Sequence, residues 1–148
     1  LAAAAVSTAI MLGACGGSVT KQDVVARANA ICASAVRAAR TLPSPAGGAN
    51  SPAALTAYLR QLLPIVDHEA ASTRALPRPS QDRALLNRYV AAVSLSDRQF
   101  HALDTAAGQG SAGGVSQALA ALRTNPATSL AQQYGLVQCA SAAGTGVS

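Results

Sequence analysis

The chain has no tryptophan, one phenylalanine and three tyrosines. The large rings that anchor an extensive core, or stack on a flat cofactor, are therefore scarce. Charge is scarce as well, at 11% of residues. Lys21 is the one lysine, and the arginines are scattered singly rather than gathered into a run. A net charge of +5 suits anionic headgroups or acidic polymers. Nucleic acid is not an expected partner, because neither a basic run nor an RNA-binding signature is present. Strand-forming β-branched and aromatic residues are few, and alanine, the strongest helix former, supplies much of the hydrophobic 50%. The expectation is a single all-α domain, since 148 residues suffice for one core and not two.

Catalytic patterns are also missing. No G-x-S-x-G elbow occurs, and the glycine-rich stretch Gly108 to Gly114 lacks the Lys-Ser/Thr pair and preceding strand of a phosphate-binding loop. The histidines are His68 and His101. In Asp67-His68-Glu69 adjacent side chains leave a helix in different directions, and the residue four beyond His68 is Ser72 rather than a second histidine. Asp97, His101 and Asp104 share a helix face at spacings of four and three. They are weak candidates for a metal, and a solvated face with local charge pairs is the plainer reading. No enzyme activity, resident metal or cofactor is expected, and an envelope hydrolase ranks last among the functions considered.

What is present begins at the N-terminus. Leu1 to Leu12 is uncharged and apolar, about the length of a signal-peptide core and shorter than the roughly 20 residues of a transmembrane helix. A basic n-region is not among these residues. The run ends in Leu12-Gly13-Ala14-Cys15, which resembles the lipobox of bacterial lipoproteins: an aliphatic residue, two small residues and the acceptor cysteine. This implies a signal over 1–14, a lipid on Cys15, and a tether over 15–20 that holds the domain within about 15 Å of the bilayer. The alternative is ordinary secretion with cleavage after Gly16. Either route places the domain outside the cytoplasm, and the lipobox adds attachment to the cell membrane at its extracytoplasmic face.

Hydrophobic periodicity predicts four helices over about 21–42, 52–76, 81–107 and 115–134. Thr20 and Asp23 form a candidate capping box, and Ser51-Pro52 is a helix start. Pro43 to Asn50 reads as a surface linker. Pro64 removes one backbone bond inside the second helix. Pro77-Arg78-Pro79 ends that helix, with Ser80 as the cap of the next and Asp82 in its first turn. Leu86, Tyr89, Val93, Ser96, Phe100 and Leu103 make a heptad-like seam on the third. Asn125-Pro126 disturbs the fourth, and Tyr134-Gly135-Leu136 looks like a left-handed C-terminal cap. A helical domain over 21–139 and a flexible tail over 140–148 complete the layout, which corresponds to an up-down four-helix bundle.

With Cys15 assigned to the lipid, Cys32 and Cys139 remain as an even pair in an oxidising compartment, and a disulfide is expected. Two buried free thiols are the alternative. In an up-down bundle the extended residues from Gly135 to Cys139 would span the roughly 17 Å from the bundle end to Cys32. Alanine-faced helices approach closely, leaving little room for a pocket of several hundred cubic ångströms. Tyr58, Tyr89 and Tyr134 are accordingly expected to be half-buried packing residues. By the same axial count, with helices two and three antiparallel, His68 and His101 should lie far apart along the bundle.

Ala30-Ile31-Cys32, Arg74-Ala75-Leu76-Pro77 with Pro79 and Asp82, and Tyr134-Gly135-Leu136 before Cys139 resemble small α-helical lipoproteins and secreted proteins of actinobacteria. The resemblance implies an extracytoplasmic helical domain with a disulfide, and it brings no catalytic residues. The functional expectation is a membrane-anchored module that binds an envelope protein or an anionic envelope polymer. The alternative is a carrier of a small ligand or metal.

Overall fold

A computed structural model describes residues 18–44 and 51–142. The Leu12-Gly13-Ala14-Cys15 motif, most of the linker and the last six residues lie outside that description. The described residues are all-helical: α1 (Lys21–Arg40), α2 (Pro52–Arg74), α3 (Arg83–Gly108), α4 (Ala112–Arg123), α5 (Ala127–Tyr134) and α6 (Val137–Ala142). None of these helices is long and apolar enough to cross a membrane.

Local chemistry explains the boundaries. At α1 the Thr20 and Asp23 capping box forms: the Asp23 N–H donates to Thr20 Oγ1 at 3.2 Å, and the Thr20 N–H donates to Asp23 Oδ2 at 2.9 Å. That backbone bond, followed by the Thr20 hydroxyl, holds the Asp23 carboxyl below its ordinary value. Ser51 caps α2, with Pro52 in its first turn. The start of α3 differs from expectation. Its N-cap is Asp82, in a left-handed conformation with φ 53° and making no side-chain cap bond, rather than Ser80. The Asp82 carboxylate is instead turned to Lys21, 2.6 Å away. Lys21 also lies 4.9 Å from the ring centroid of Tyr134, so one ammonium clasps the starts of α1 and α3 and the end of α5. Burial raises the Tyr134 hydroxyl above its ordinary value, and Lys21 opposes that shift.

The expected fourth helix is broken in two. Asn125 accepts from the Ala127 N–H at 2.9 Å and donates to the Ala92 carbonyl at 3.1 Å and to Gln99 Oε1 at 3.0 Å, pinning the break to α3. Proline at 126 cannot supply the helical N–H there. Gly135, at φ 93°, then ends α5. The Leu136 N–H reaches the Ala131 carbonyl at 2.8 Å, and the Leu136 side chain is fully buried. The residues after Gly135 are not extended as expected. They form α6, which includes Ala140 to Ala142 of the expected tail and lies on α1 with the Gln138 N–H 3.0 Å from Asn29 Oδ1. Only a helix-length advance is then needed to bring Cys139 to Cys32. Their sulfurs are 2.07 Å apart, in a disulfide that joins α6 to α1.

The core has two parts. One gathers Val24, Ala28, Cys32, Leu86, Tyr89 and Leu136 with their neighbours; the other gathers Leu55, Leu59, Leu62, Leu103, Val115 and Ala118. Leu55, Leu59 and Leu103 are each about 1% exposed, and each contributes on the order of 2 kcal/mol through burial.

Candidate functional site

A partly open cavity of about 310 Å³ is lined from both parts of the core. This overturns the expectation that alanine-faced helices leave little room. Ala35, Ala39 and Ala70 are among its walls, and there the small side chains leave volume empty instead of drawing backbones together. Aromatic rings concentrate in it: of the three tyrosines and one phenylalanine in the chain, Tyr58, Tyr89 and Phe100 line the cavity. Tyr134 does not. Tyr89 is only 2% exposed, so it is a core residue that also borders the space.

Glu69, on α2, also lines the cavity. It is the one glutamate in the chain, and among the described residues it has no hydrogen-bond or ion-pair partner. Desolvation pushes its carboxyl up to about 7. Burial, and secondarily the Glu69 charge, raises the Tyr89 hydroxyl as well. That hydroxyl lies 3.6 Å from Cys32 Sγ. A disulfide sulfur carries no proton, so Tyr89 is the donor, and the bridge forms part of the same wall through Cys139. For the same reason, the 3.4 Å approach of Cys139 Sγ to the Ala28 carbonyl is packing and not donation. On α3, Asp97 lines the cavity near its charged edge. Its Oδ2 is 3.5 Å from Arg74, and its Oδ1 is buried without a partner. Arg123, exposed at the end of α4, stands at the rim.

No family model, curated protein or solved structure matches this chain. Its residues therefore carry the functional argument alone.

The candidate metal set is rearranged. Asp97 and His101 do come together, but their third companion is Asp67 on α2, and the three ligand atoms lie within 4.8 Å of one another. Asp104 is not in that group; it sits on α3 with Oδ1 buried and unpartnered. The expected axial separation of His68 from His101 is also overturned. Asp67, next to His68, lies 2.8 Å from His101, and Arg74, about two turns further along α2, meets Asp97, about one turn back along α3. The connection from Ala75 to Asp82 carries the chain past the end of α2, so α3 begins well beyond it and the heights of the two helices are offset. Arg78 stiffens this connection by donating to the carbonyls of Leu76 and Arg74 and to Asn87 Oδ1. The divergence expected within Asp67-His68-Glu69 holds: Asp67 faces α3, His68 is exposed, and Glu69 lines the cavity. Sequence reasoning missed Glu69 as a site residue. Its signal was a lone carboxylate one residue from the buried Ala70 position of an apolar helix face.

Proposed function

We propose that this chain is a lipid-anchored, extracytoplasmic lipoprotein whose helical domain acts by binding and not by catalysis, and that the bound species is a small, largely apolar molecule held in the cavity. The observation that carries this reading is the cavity of about 310 Å³ whose walls combine aliphatic residues, three of the scarce rings and an unpartnered carboxyl. A mostly apolar space with a few polar groups is the general form of a small-ligand site. The expected docking of an envelope protein or anionic polymer on the arginine-bearing exterior has no comparable feature behind it and becomes the secondary role. In this reading α1, α2, α3 and the broken arm from α4 to α6 act as the four members of an up-down bundle. The antiparallel pairing of α2 with α3 through Asp67 and His101, and through Arg74 and Asp97, supports that arrangement.

Two measurements test the proposal. Mass analysis and radiolabelled fatty acid should show lipid on the wild-type protein and none on Cys15→Ala; an unmodified amino terminus at Gly17 would remove the anchor. Titration with the neutral probe 3,3-dimethylbutan-1-ol, followed by NMR, should shift resonances of Leu59, Val93 and Leu103. Shifts confined to the outer surface would remove the ligand site. A second reading, carriage of a divalent metal, draws on the grouping of Asp67, Asp97 and His101. Asp97 is already paired with Arg74 and Asp67 with His101 there, so zinc titration should give no stoichiometric complex. A complex lost in His101→Ala would favour the metal instead.

A further inference from the structure

The cavity is long rather than round. Its walls take residues from Leu55 to Ala70 on α2 and from Tyr89 to Leu103 on α3, about four turns of each helix, or roughly 20 Å along either axis. A volume of about 310 Å³ drawn out over that length leaves a mean cross-section of only about 15 Å². Non-bonded carbons sit about 4 Å apart, so one hydrocarbon chain in single file needs about 16 Å². The space is a slot one chain wide. Its rings are strung along it: Tyr89 and Phe100 stand about three turns apart on α3, too far to close on one compact group.

Resting on the small-ligand reading, we infer that the ligand is a free amphiphile with one unbranched alkyl or acyl chain, its tail lying along the slot and its polar end at the exposed rim. The walls suit a tail. Leu55, Leu59 and Leu62 on α2, Leu103 on α3 and Leu119 and Leu122 on α4 offer no hydrogen bond to a ligand. Two of the polar side chains on the walls are spent on the protein itself, Asp97 on Arg74 and Asn125 on Ala92 and Gln99. Arg123, which is exposed, marks where the slot meets water. Width decides against the other apolar occupants: a fused ring system is broader than one chain, and a two-tailed lipid would leave its second tail outside. The slot's α1 walls, Ala35, Val36 and Ala39, begin roughly 20 Å along the helix from Thr20. The lipid expected on Cys15 is therefore left for the bilayer.

The test is an NMR titration of the Cys15→Ala protein, which carries no lipid of its own and needs no detergent. The probes are hexan-1-ol, octan-1-ol, decan-1-ol and 3,3-dimethylbutan-1-ol, the branched isomer of hexan-1-ol. Affinity should rise about fourfold with each added methylene, without levelling off before decan-1-ol. Hexan-1-ol should bind about tenfold more tightly than its isomer, whose tert-butyl group is wider than the slot. Ala35→Leu, which fills part of the slot without adding charge, should weaken decan-1-ol more than hexan-1-ol. Affinity that stops rising at hexan-1-ol, isomers that bind equally, or equal weakening of both alcohols by Ala35→Leu would overturn the single-chain assignment while leaving the small-ligand reading intact. If no alcohol shifts cavity resonances, both fall together.

Discussion

Nε2 of His101 lies 2.8 Å from Oδ1 of Asp67, tying α3 to α2 across 34 residues of sequence. Both side chains are about half exposed, at 53% and 51%, and exposed pairs of this kind contribute roughly 0 to 1 kcal/mol. His101→Ala should therefore lower stability in urea unfolding by less than about 1 kcal/mol. A larger loss would mean that His101 does more than pair with Asp67.

The disulfide should matter far more. Cys32 and Cys139 are 107 residues apart in sequence, and closing so long a loop restricts the unfolded chain, a constraint typically worth about 2 to 4 kcal/mol. Urea unfolding with and without reductant, and of the double variant Cys32→Ser with Cys139→Ser, should reveal a loss of that size. Because Cys139 lines the cavity, reduction should also weaken binding of the apolar probe. Two alkylatable thiols in the native protein would contradict the bridge directly.

Glu69 sets the pH dependence of stability. Its carboxyl is raised from 4.5 to about 7 by desolvation. Between those values the folded chain holds more protons than the unfolded one, and stability falls as pH rises. The contribution is complete below about pH 4.5, is lost as pH passes through about 7, and is flat above. The total loss should be about 2 to 3 kcal/mol. Glu69→Gln should flatten this part of the profile and raise stability at pH 8. Asp23, whose carboxyl is lowered, acts in the opposite sense and in a more acidic window, where its stabilisation is lost as pH falls. A wild-type profile that does not decline between pH 5 and 8 would mean that Glu69 is solvated.

Asn125→Ala should cost about 1 to 3 kcal/mol, because it removes the bonds to the Ala92 carbonyl and Gln99 and leaves the Ala127 N–H without its partner in a half-buried position. The drop is read in thermal unfolding, and Asn125→Asp should recover only part of it, since the donor to Ala92 is lost. A neutral alanine variant would show that the break between α4 and α5 is held by packing alone.

Much of the architecture is legible in local sequence. The apolar positions of α1, α2 and α3 come inward: Val24, Ala28 and Cys32, then Leu55, Leu59, Leu62 and Ala70, then Leu86, Tyr89 and Leu103 are all buried. Helix periodicity determines which face is apolar, and that face has only the interior to occupy. Thr20 with Asp23, Ser51 with Pro52, and Gly135 with Leu136 act within a few residues of chain, so their caps could be read without any knowledge of the fold. The cysteine pairing was accessible by a different route, from the even number left once Cys15 is set aside for the expected lipid.

The candidate site was less legible, because it depends on the relative heights of helices. Asp67 meets His101 only because the segment from Ala75 to Asp82 offsets α3 from α2, and no periodicity encodes that stagger. The same offset brings Tyr89, Phe100 and Glu69 to one space. Alanine by itself decides only that a side chain is small. Whether small side chains draw two helices together, as at α3 and α4 where a Cβ on Gly114 would stand 3.0 Å from that of Ala106, or leave a cavity, as at Ala35, Ala39 and Ala70, is settled by the larger residues packed around them. The sequence alone thus determined the helices, their inward faces and the pair of cysteines, all of which follow from short-range geometry and chemistry. The tertiary structure decided where volume stayed empty and which carboxylate faced it, since both depend on how far apart neighbouring elements are held.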